Sequence, residues 1–309
     1  DMMILLGDRF ELLAAATAAL IRKLPIAHLH GGETTEGAFD EAIRHSITKM
    51  SHVHFTATEE YRRRVIQLGE DPSTVFNVGG LGIDNINYLN LLRKSELEQK
   101  IGLRLGDKSL LVTFHSSTLE KDDSSTQFKA VLEALKYYRE ASIIFTKTNA
   151  DTDGRIINQM IDTFVEDNQE RSIAHTSLGQ LGYLSTLNHV DGIIGNSSSG
   201  IIEAPSLMTG TINIGNRQKG RTKATTIIDC SPLCEDILKA LDELYSESFQ
   251  DCLSVVVNPY GVGGAASRIV DKLRTLEIDS INVQKSFFNL DEHLLKEAIE
   301  GCESNYGTL

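Results

Sequence analysis

Apolar residues along this chain come in short runs, each followed by a Gly- or polar-rich turn and then by an amphipathic or Ala-rich stretch. Residues 1–6 read as a strand and 10–23, rich in Ala and Leu, as a helix that Pro25 ends. A strand over 26–30, a helix over 40–50, a strand over 52–58, a helix over 59–68 and a strand over 75–78 follow. This alternation predicts a parallel sheet covered by helices. The Asn-rich stretch 82–94 breaks the rhythm and reads as an inter-domain linker, itself partly helical. Ser95 and Glu98 then match a capping box, with Ser95 as the cap of a new helix. The alternation restarts with a strand over 110–115, a helix over 127–140, a strand over 142–147 and a helix over 153–167. Strands at 172–175, 192–195, 211–214 and 225–228 complete a second set.

The expected architecture is α/β, with two Rossmann-like domains in series: 1–90, 91–262, and a C-terminal helix and tail over 263–309. The chain opens directly in a strand without an initiator Met, so the first domain is expected to be incomplete, its natural amino terminus missing. Hydrophobic residues at 41% and charged residues at 24% are the mixture of a folded globular protein, and no apolar run approaches a membrane span. A net charge of −13 argues against a large nucleic-acid footprint, while leaving room for a small anionic ligand held by helix ends and a few arginines. Four cysteines with no CxxC pair suggest neither a disulfide framework nor a metal centre, and a cytoplasmic setting is the expectation.

In open α/β sheets ligands bind at the carboxyl ends of strands, and the polar clusters of this chain fall there. Gly7-Asp8-Arg9 follows the first strand, and His30-Gly31-Gly32-Glu33 the second, with Asp40, Glu41, Arg44 and His45 close behind. His115, Asn149 and Asn196-Ser197-Ser198-Ser199-Gly200 with Glu203 follow later strands, and Arg217 another. Backbone N–H groups, hydroxyls and a positive helix end converge at the serine turn, which suits a diphosphate; a plain N-cap would use the same residues. Glu203, a turn further on, suits ribose hydroxyls better than phosphate, or is a solvated helix residue. Asp8, Glu33, Asp40 and Glu41 lie within 34 positions and could supply the acid and base of a proton-transfer reaction. Asp40 as an N-cap and Glu41 as a first-turn acid explain part of that cluster without chemistry. His28 and His30 alternate along one strand and should face the same side, a geometry that suits a metal or, more simply, core hydrogen bonds. Arg62-Arg63-Arg64 reads as a solvated helix face.

Taken together, these motifs resemble the hydrolysing UDP-N-acetylglucosamine 2-epimerases of bacterial sialic acid synthesis, over about residues 1–276. The resemblance rests on Leu6-Gly7-Asp8-Arg9, His30-Gly31-Gly32-Glu33, Ile43-Arg44-His45-Ser46-Ile47-Thr48-Lys49, Phe114-His115, Gly195-Asn196-Ser197-Ser198-Ser199-Gly200 with Glu203, Gly215-Asn216-Arg217-Gln218-Lys219-Gly220-Arg221 and Asn258-Pro259-Tyr260-Gly261. It implies a GT-B-like fold with UDP held between two domains, and conversion of UDP-N-acetylglucosamine to N-acetylmannosamine and UDP through a glycal. It places Asp8, Glu33 and Asp40 among the catalytic carboxylates, His45 beside them, and His115 against the leaving diphosphate. Arg9, Asn149, Ser197, Ser198, Ser199, Gly200, Glu203 and Arg217 match UDP-binding positions. It implies no metal, no cofactor, no nucleic acid or membrane partner, and a homodimer. Some relatives carry a glutamate where this chain has His30, and the family's Arg-containing phosphate loop is not found in these residues. The tail 277–309 lies outside the resemblance and reads as a helix packing on the body or on a partner chain. A sister epimerase acting on a UDP-2,4-diacetamido-trideoxy sugar, a GT-B glycosyltransferase and an inactive nucleotide-binding protein are the competing readings.

Overall fold

Ten short strands in a computed structural model of the chain pair into two parallel sheets, and the chain divides into two corresponding units. The structure describes residues 1–34, 40–115, 124–148, 152–278 and 281–291.

The first unit comprises residues 1–33, 42–78 and 269–309. Its sheet runs in the order β1 (Met3–Leu6), β2 (Ile26–Leu29), β3 (Val53–Thr56), β4 (Val75–Asn77). The connecting helices are α1 (Phe10–Ile21), α2 (Asp40–Met50) and α3 (Glu59–Gln67). β2 and β3 are buried along their whole length, as parallel strands with both faces covered must be. Ala16 and Ala19 bring α1 close to the sheet, and Ile43, Ile47 and Met50 of α2 pack into the same core. On α2 the spacing of Arg44 and Thr48 puts both side chains on one buried face, turned towards the strand ends.

Two expectations change here. The second strand stops at Leu29, and His30 adopts the left-handed conformation with φ 63°. His28 and His30 therefore diverge: His28 donates from Nε2 to the Gly7 carbonyl at 2.9 Å, while His30 turns towards Glu33. The arginine run is solvated only at Arg63. Arg62 donates to the Val75 carbonyl and Arg64 to the Gly32 carbonyl, so this apparent surface charge fastens α3 to two loops.

The second unit comprises residues 34–41 and 79–268. It opens with α4 (Leu81–Tyr88) and α5 (Lys94–Ile101), and its sheet uses β5 (Lys108–Thr113), β6 (Ala141–Thr146), β7 (Ser172–His175), β8 (Gly192–Gly195), β9 (Gly210–Ile214) and β10 (Ile227–Cys230). Helices α6 (Ser124–Tyr137), α7 (Thr152–Asp167), α8 (Gly179–His189), α9 (Ser198–Ile202), α10 (Cys234–Leu244), α11 (Glu247–Ser254) and α12 (Ala265–Thr275) complete it, the end of α12 counting with the first unit. The strand order is β10-β9-β8-β5-β6-β7. The chain thus builds outward from β5 in one direction and from β8 in the other, which creates a topological switch point between those two strands. Alternate residues of the central strands feed two cores. Leu110, Val112, Ile143 and Phe145 face α6, α7 and α10, and Leu111, Ile144 and Ile193 face α5 and α8.

The Asn-rich stretch is largely helical, and Ile86, Leu89, Leu91 and Leu92 pack against the second of these cores. The expected cap at Ser95 is displaced. The helix starts at Lys94, Glu96 accepts from the Arg93 N–H at 2.9 Å, and Glu98 serves the Leu105 N–H instead. The last strand lies over 227–230 rather than 225–228. Asp40 stands inside the first turn of α2, not ahead of it as a cap. The tail carries no helix over 281–291, where it lies on the first unit; residues 292–309 lie outside the described residues.

Gly195 ends β8 at φ 143°, and a Cβ there would lie 1.9 Å from the Thr113 carbonyl oxygen. Gly195→Ala is expected to lower the unfolding free energy by more than about 2 kcal/mol, because backbone must move to accept the methyl. Urea denaturation followed by circular dichroism measures this, and an unchanged midpoint would contradict it.

Candidate functional site

At the carboxyl end of the first sheet, a buried guanidinium gathers two loops. Arg44 of α2 donates to Asp8 after β1 and, at 2.8 Å, to the His30 carbonyl after β2. Its Nη1 also lies 3.7 Å from Glu33 Oε2. Glu33, buried itself, accepts on its other oxygen from His30 Nδ1 at 2.6 Å. The result is a chain Asp8–Arg44–Glu33–His30 in which two carboxylates share one cation, with Asp8 and His30 partly open to solvent. Gly32 makes the approach of Glu33 workable: its φ is 79°, and a Cβ there would lie 2.4 Å from the Tyr61 carbonyl oxygen of α3. Beneath this layer His28 accepts from Thr48 Oγ1 at 3.1 Å while donating to Gly7, which ties β2, α2 and the Asp8 loop together. Burial, opposed by the Gly7 carbonyl, drives its pKa down to about 3, so this imidazole is neutral and structural at neutral pH.

Of the sequence candidates in this region, Asp8 and Glu33 come together through Arg44, which was named only as a neighbour. His45 follows on α2, half-buried. Asp40 sits at the start of α2, partly exposed. The Arg9 guanidinium is exposed and pairs with Glu11 at 2.8 Å.

The second unit holds a cavity of about 420 Å³ at the carboxyl ends of β5, β6, β7 and β8. Thr113 and His115 contribute from β5 and the turn after it, Ser197 and Ser199 from the turn after β8, and Thr146, Lys147 and residues 176–180 from the far side. This is where the switch point predicts a ligand. One amide organises it. Asn196 accepts from the His115 N–H and donates to the His115 carbonyl, both at 2.8 Å, and its own carbonyl accepts from Arg217 and Gln218, each at 2.8 Å. Loops after β5, β8 and β9 are thereby fixed to one residue. Ser197 caps α9, accepting from the Ser199 N–H, so the capping role read from the sequence and a cavity-facing role coexist. Glu203 lines the cavity just past α9, and a Cβ on Gly82 would lie 2.6 Å from its Oε1. Gly200 instead packs against Thr211, and Ser198 starts α9 outside the cavity lining. Burial, with the neighbouring Arg221 charge, pulls the Arg217 pKa below the usual arginine range. Asn149 lies outside the described residues.

Sequence reasoning assigned no role to Asn196, Gln218 or Tyr183. Tyr183 lines the same cavity, its buried hydroxyl near Ser199, Thr113 and Ser197. Burial raises its phenol above the usual range. Among the described residues no three His, Cys, Asp or Glu side chains converge as a metal site, and no helix is long and apolar enough to cross a membrane.

Two parallel-sheet α/β units, the larger with a cavity at its switch point, define a GT-B-like protein. The chain shares that fold with UDP-GlcNAc 2-epimerase from Neisseria meningitidis bound to UDP-GlcNAc, with a TM-score of 0.76 at 18% identity over 88% of this chain and 76% of that one. Residues 1–274 match the model of the UDP-N-acetylglucosamine 2-epimerase family, and the chain belongs to that family. It is 40% identical over 291 residues to the GDP/UDP-N,N'-diacetylbacillosamine 2-epimerase (hydrolyzing) of Campylobacter jejuni, covering 94% of this chain and 75% of that protein. It is 39% identical to the Polysialic acid biosynthesis protein P7 of Escherichia coli, covering 94% and 74% respectively.

The neutral His28 has a consequence for acid stability. Its folded pKa lies below the ordinary 6.5, so the unfolded chain takes up the proton first, and the stability it supports above pH 6.5 drains away as pH falls towards 3. Denaturant midpoints should therefore fall between pH 7 and pH 4, and His28→Gln should start lower but fall less steeply. Parallel slopes for the two proteins would remove His28 as a cause.

Proposed function

We propose that this chain is a hydrolysing UDP-sugar 2-epimerase, converting UDP-N-acetylglucosamine to N-acetylmannosamine and UDP. The observation that carries the reading is the buried Asp8–Arg44–Glu33–His30 chain in a member of this family, because epimerisation at carbon 2 needs a base and an acid that a simple binding protein does not. In this mechanism a carboxylate, for which Glu33 is the choice, removes the C2 proton. The C1–O bond breaks, its electron pair leaves with UDP, and a C1=C2 double bond forms. Water then adds across that bond: a proton returns to C2 on the opposite face and hydroxide is added at C1. Arg44 pairs with Asp8 and Glu33, and His30 supplies a proton relay on the second Glu33 oxygen.

UDP is assigned to the cavity of the second unit. Ser197, Ser199 and His115 would meet the diphosphate, where charge grows as the C1–O bond breaks, and Glu203 the ribose hydroxyls. Arg217, one hydrogen bond behind this surface through Asn196, adds positive charge. No metal enters these steps.

The 40% identity to a protein named for N,N'-diacetylbacillosamine favours a second reading, in which the sugar is a UDP-2,4-diacetamido-trideoxy hexose. The chemistry at C1 and C2 is the same; only the pocket around C4 and C6 differs. Incubation with each sugar nucleotide alone, with UDP release and product stereochemistry followed, tests both. Release from neither without an acceptor would sink the epimerase and leave a glycosyltransferase or an inactive binder. In D₂O the product should carry deuterium at C2. Glu33→Gln should lower kcat by roughly 10²- to 10⁴-fold, the range for losing a general acid or base, and leave UDP affinity nearly unchanged. Wild-type-like rates would take Glu33 out of the mechanism.

A further inference from the structure

Residues 281–291 lie as an extended strap on the first unit, anchored by one lysine. Lys285 Nζ donates to the carbonyls of Lys49, at 2.9 Å, and Ser51. Lys49 is in the last turn of α2, where carbonyls lack helical partners and a cation is favoured. The same ammonium lies 2.6 Å from Glu70 Oε2. Glu70 is buried and also accepts from Lys49 Nζ at 2.6 Å and from His54 Nε2, in the middle of β3, at 3.0 Å. Burial would raise the Glu70 pKa, but its three donors outweigh that and hold it near 2. Two residues on, the Phe287 ring packs on Gly69, where a Cβ would lie 2.3 Å from it, and beneath the Lys49 ammonium at 4.9 Å. The Phe288 N–H donates to the Gly69 carbonyl at 3.0 Å.

We infer that Lys285 is a positioning residue for the reaction: by closing the C-terminal end of α2 onto Glu70, the strap sets the axial position of Arg44 and through it Asp8 and Glu33. Lys49 and Arg44 lie on one rigid helix, about 7.5 Å apart along its axis. A slide or rotation of α2 at its C-terminal end is therefore carried along the helix to the guanidinium. Without Lys285 the two α2-end carbonyls lose their donor, and Glu70 keeps two of its three partners. The groups assigned to UDP belong to the second unit. Loss of the strap should appear in the proton-transfer steps and leave nucleotide binding alone.

The inference rests on the proposed epimerase reading for its kinetic arm, and hydrogen exchange provides an arm that does not. In the full chain, Lys285→Ala should lower kcat about tenfold, the scale of a sub-ångström misplacement of a catalytic group. KM and UDP affinity should stay within about twofold. Lys285→Arg, which keeps the charge and the donors, should recover most of the rate. Amides over 43–51 should exchange faster in Lys285→Ala, and those of β5, β6 and β8 should not. Phe287→Ala, which leaves the ion cluster in place, should shift both readouts the same way by less, and it serves if Lys285→Ala folds poorly. An unchanged kcat, or unchanged exchange in α2, overturns the inference. If the wild-type chain releases UDP from neither sugar nucleotide, the epimerase reading falls, and α2 exchange alone decides the role of the strap.

Discussion

A guanidinium removed from water must find its acceptors inside the fold, because an unpaired buried charge costs several kcal/mol. Arg44 meets most of that demand through its two Nη groups, with Asp8, the His30 carbonyl and the nearby Glu33, while its buried Nε has no hydrogen-bond partner among the described residues. In doing so it draws the loops after β1 and β2 onto α2. The constraint runs both ways. The two carboxylates compensate the buried cation, and the cation holds their loops in place. His28 and Thr48 below, Arg64 on the Gly32 carbonyl, and Gly32 against Tyr61 keep the loops at the height this pairing requires.

The second unit solves an analogous problem without a charge. Asn196 uses both ends of its side chain and its own carbonyl to join the turns after β5, β8 and β9. A primary amide suits this because it donates and accepts at once, whereas a carboxylate only accepts. The cavity wall is therefore set by backbone-directed bonds, leaving the Ser199 and Tyr183 hydroxyls without full partners. Unsatisfied hydroxyls of this kind in a cavity wall suit a ligand that brings donors and acceptors.

Much of the fold was legible because local pattern and tertiary position agreed. α2 was bounded correctly at 40–50, and its Ile43, Ile47 and Met50 share one face on the core. Strands such as β1 and β8 declared themselves as short apolar runs. What escaped the sequence reading depended on partners far along the chain. Arg62 and Arg64 look like any surface charge run until Val75 and Gly32 arrive opposite them. Asn196 beside three serines reads as capping material, and its clasp exists only because β5 lies next to β8. α8, which carries Tyr183, was not foreseen: two Gly residues with Thr, Asn and His make a weak local helix signal. Ser95 was read as the cap from its spacing to Glu98, whereas the cap is Arg93, from whose N–H the Glu96 carboxylate accepts.

Gly82 shows how a missing side chain can act as a ruler. Its Cα sits so close to Glu203 that a single added methyl would drive into the carboxylate. The first turn of α4 thus leaves room for the tip of the Glu203 side chain, and a methyl at Gly82 would push that carboxylate to another position in the cavity. Selectivity for whatever rests against that carboxylate would then be encoded partly at a position that offers no functional group at all.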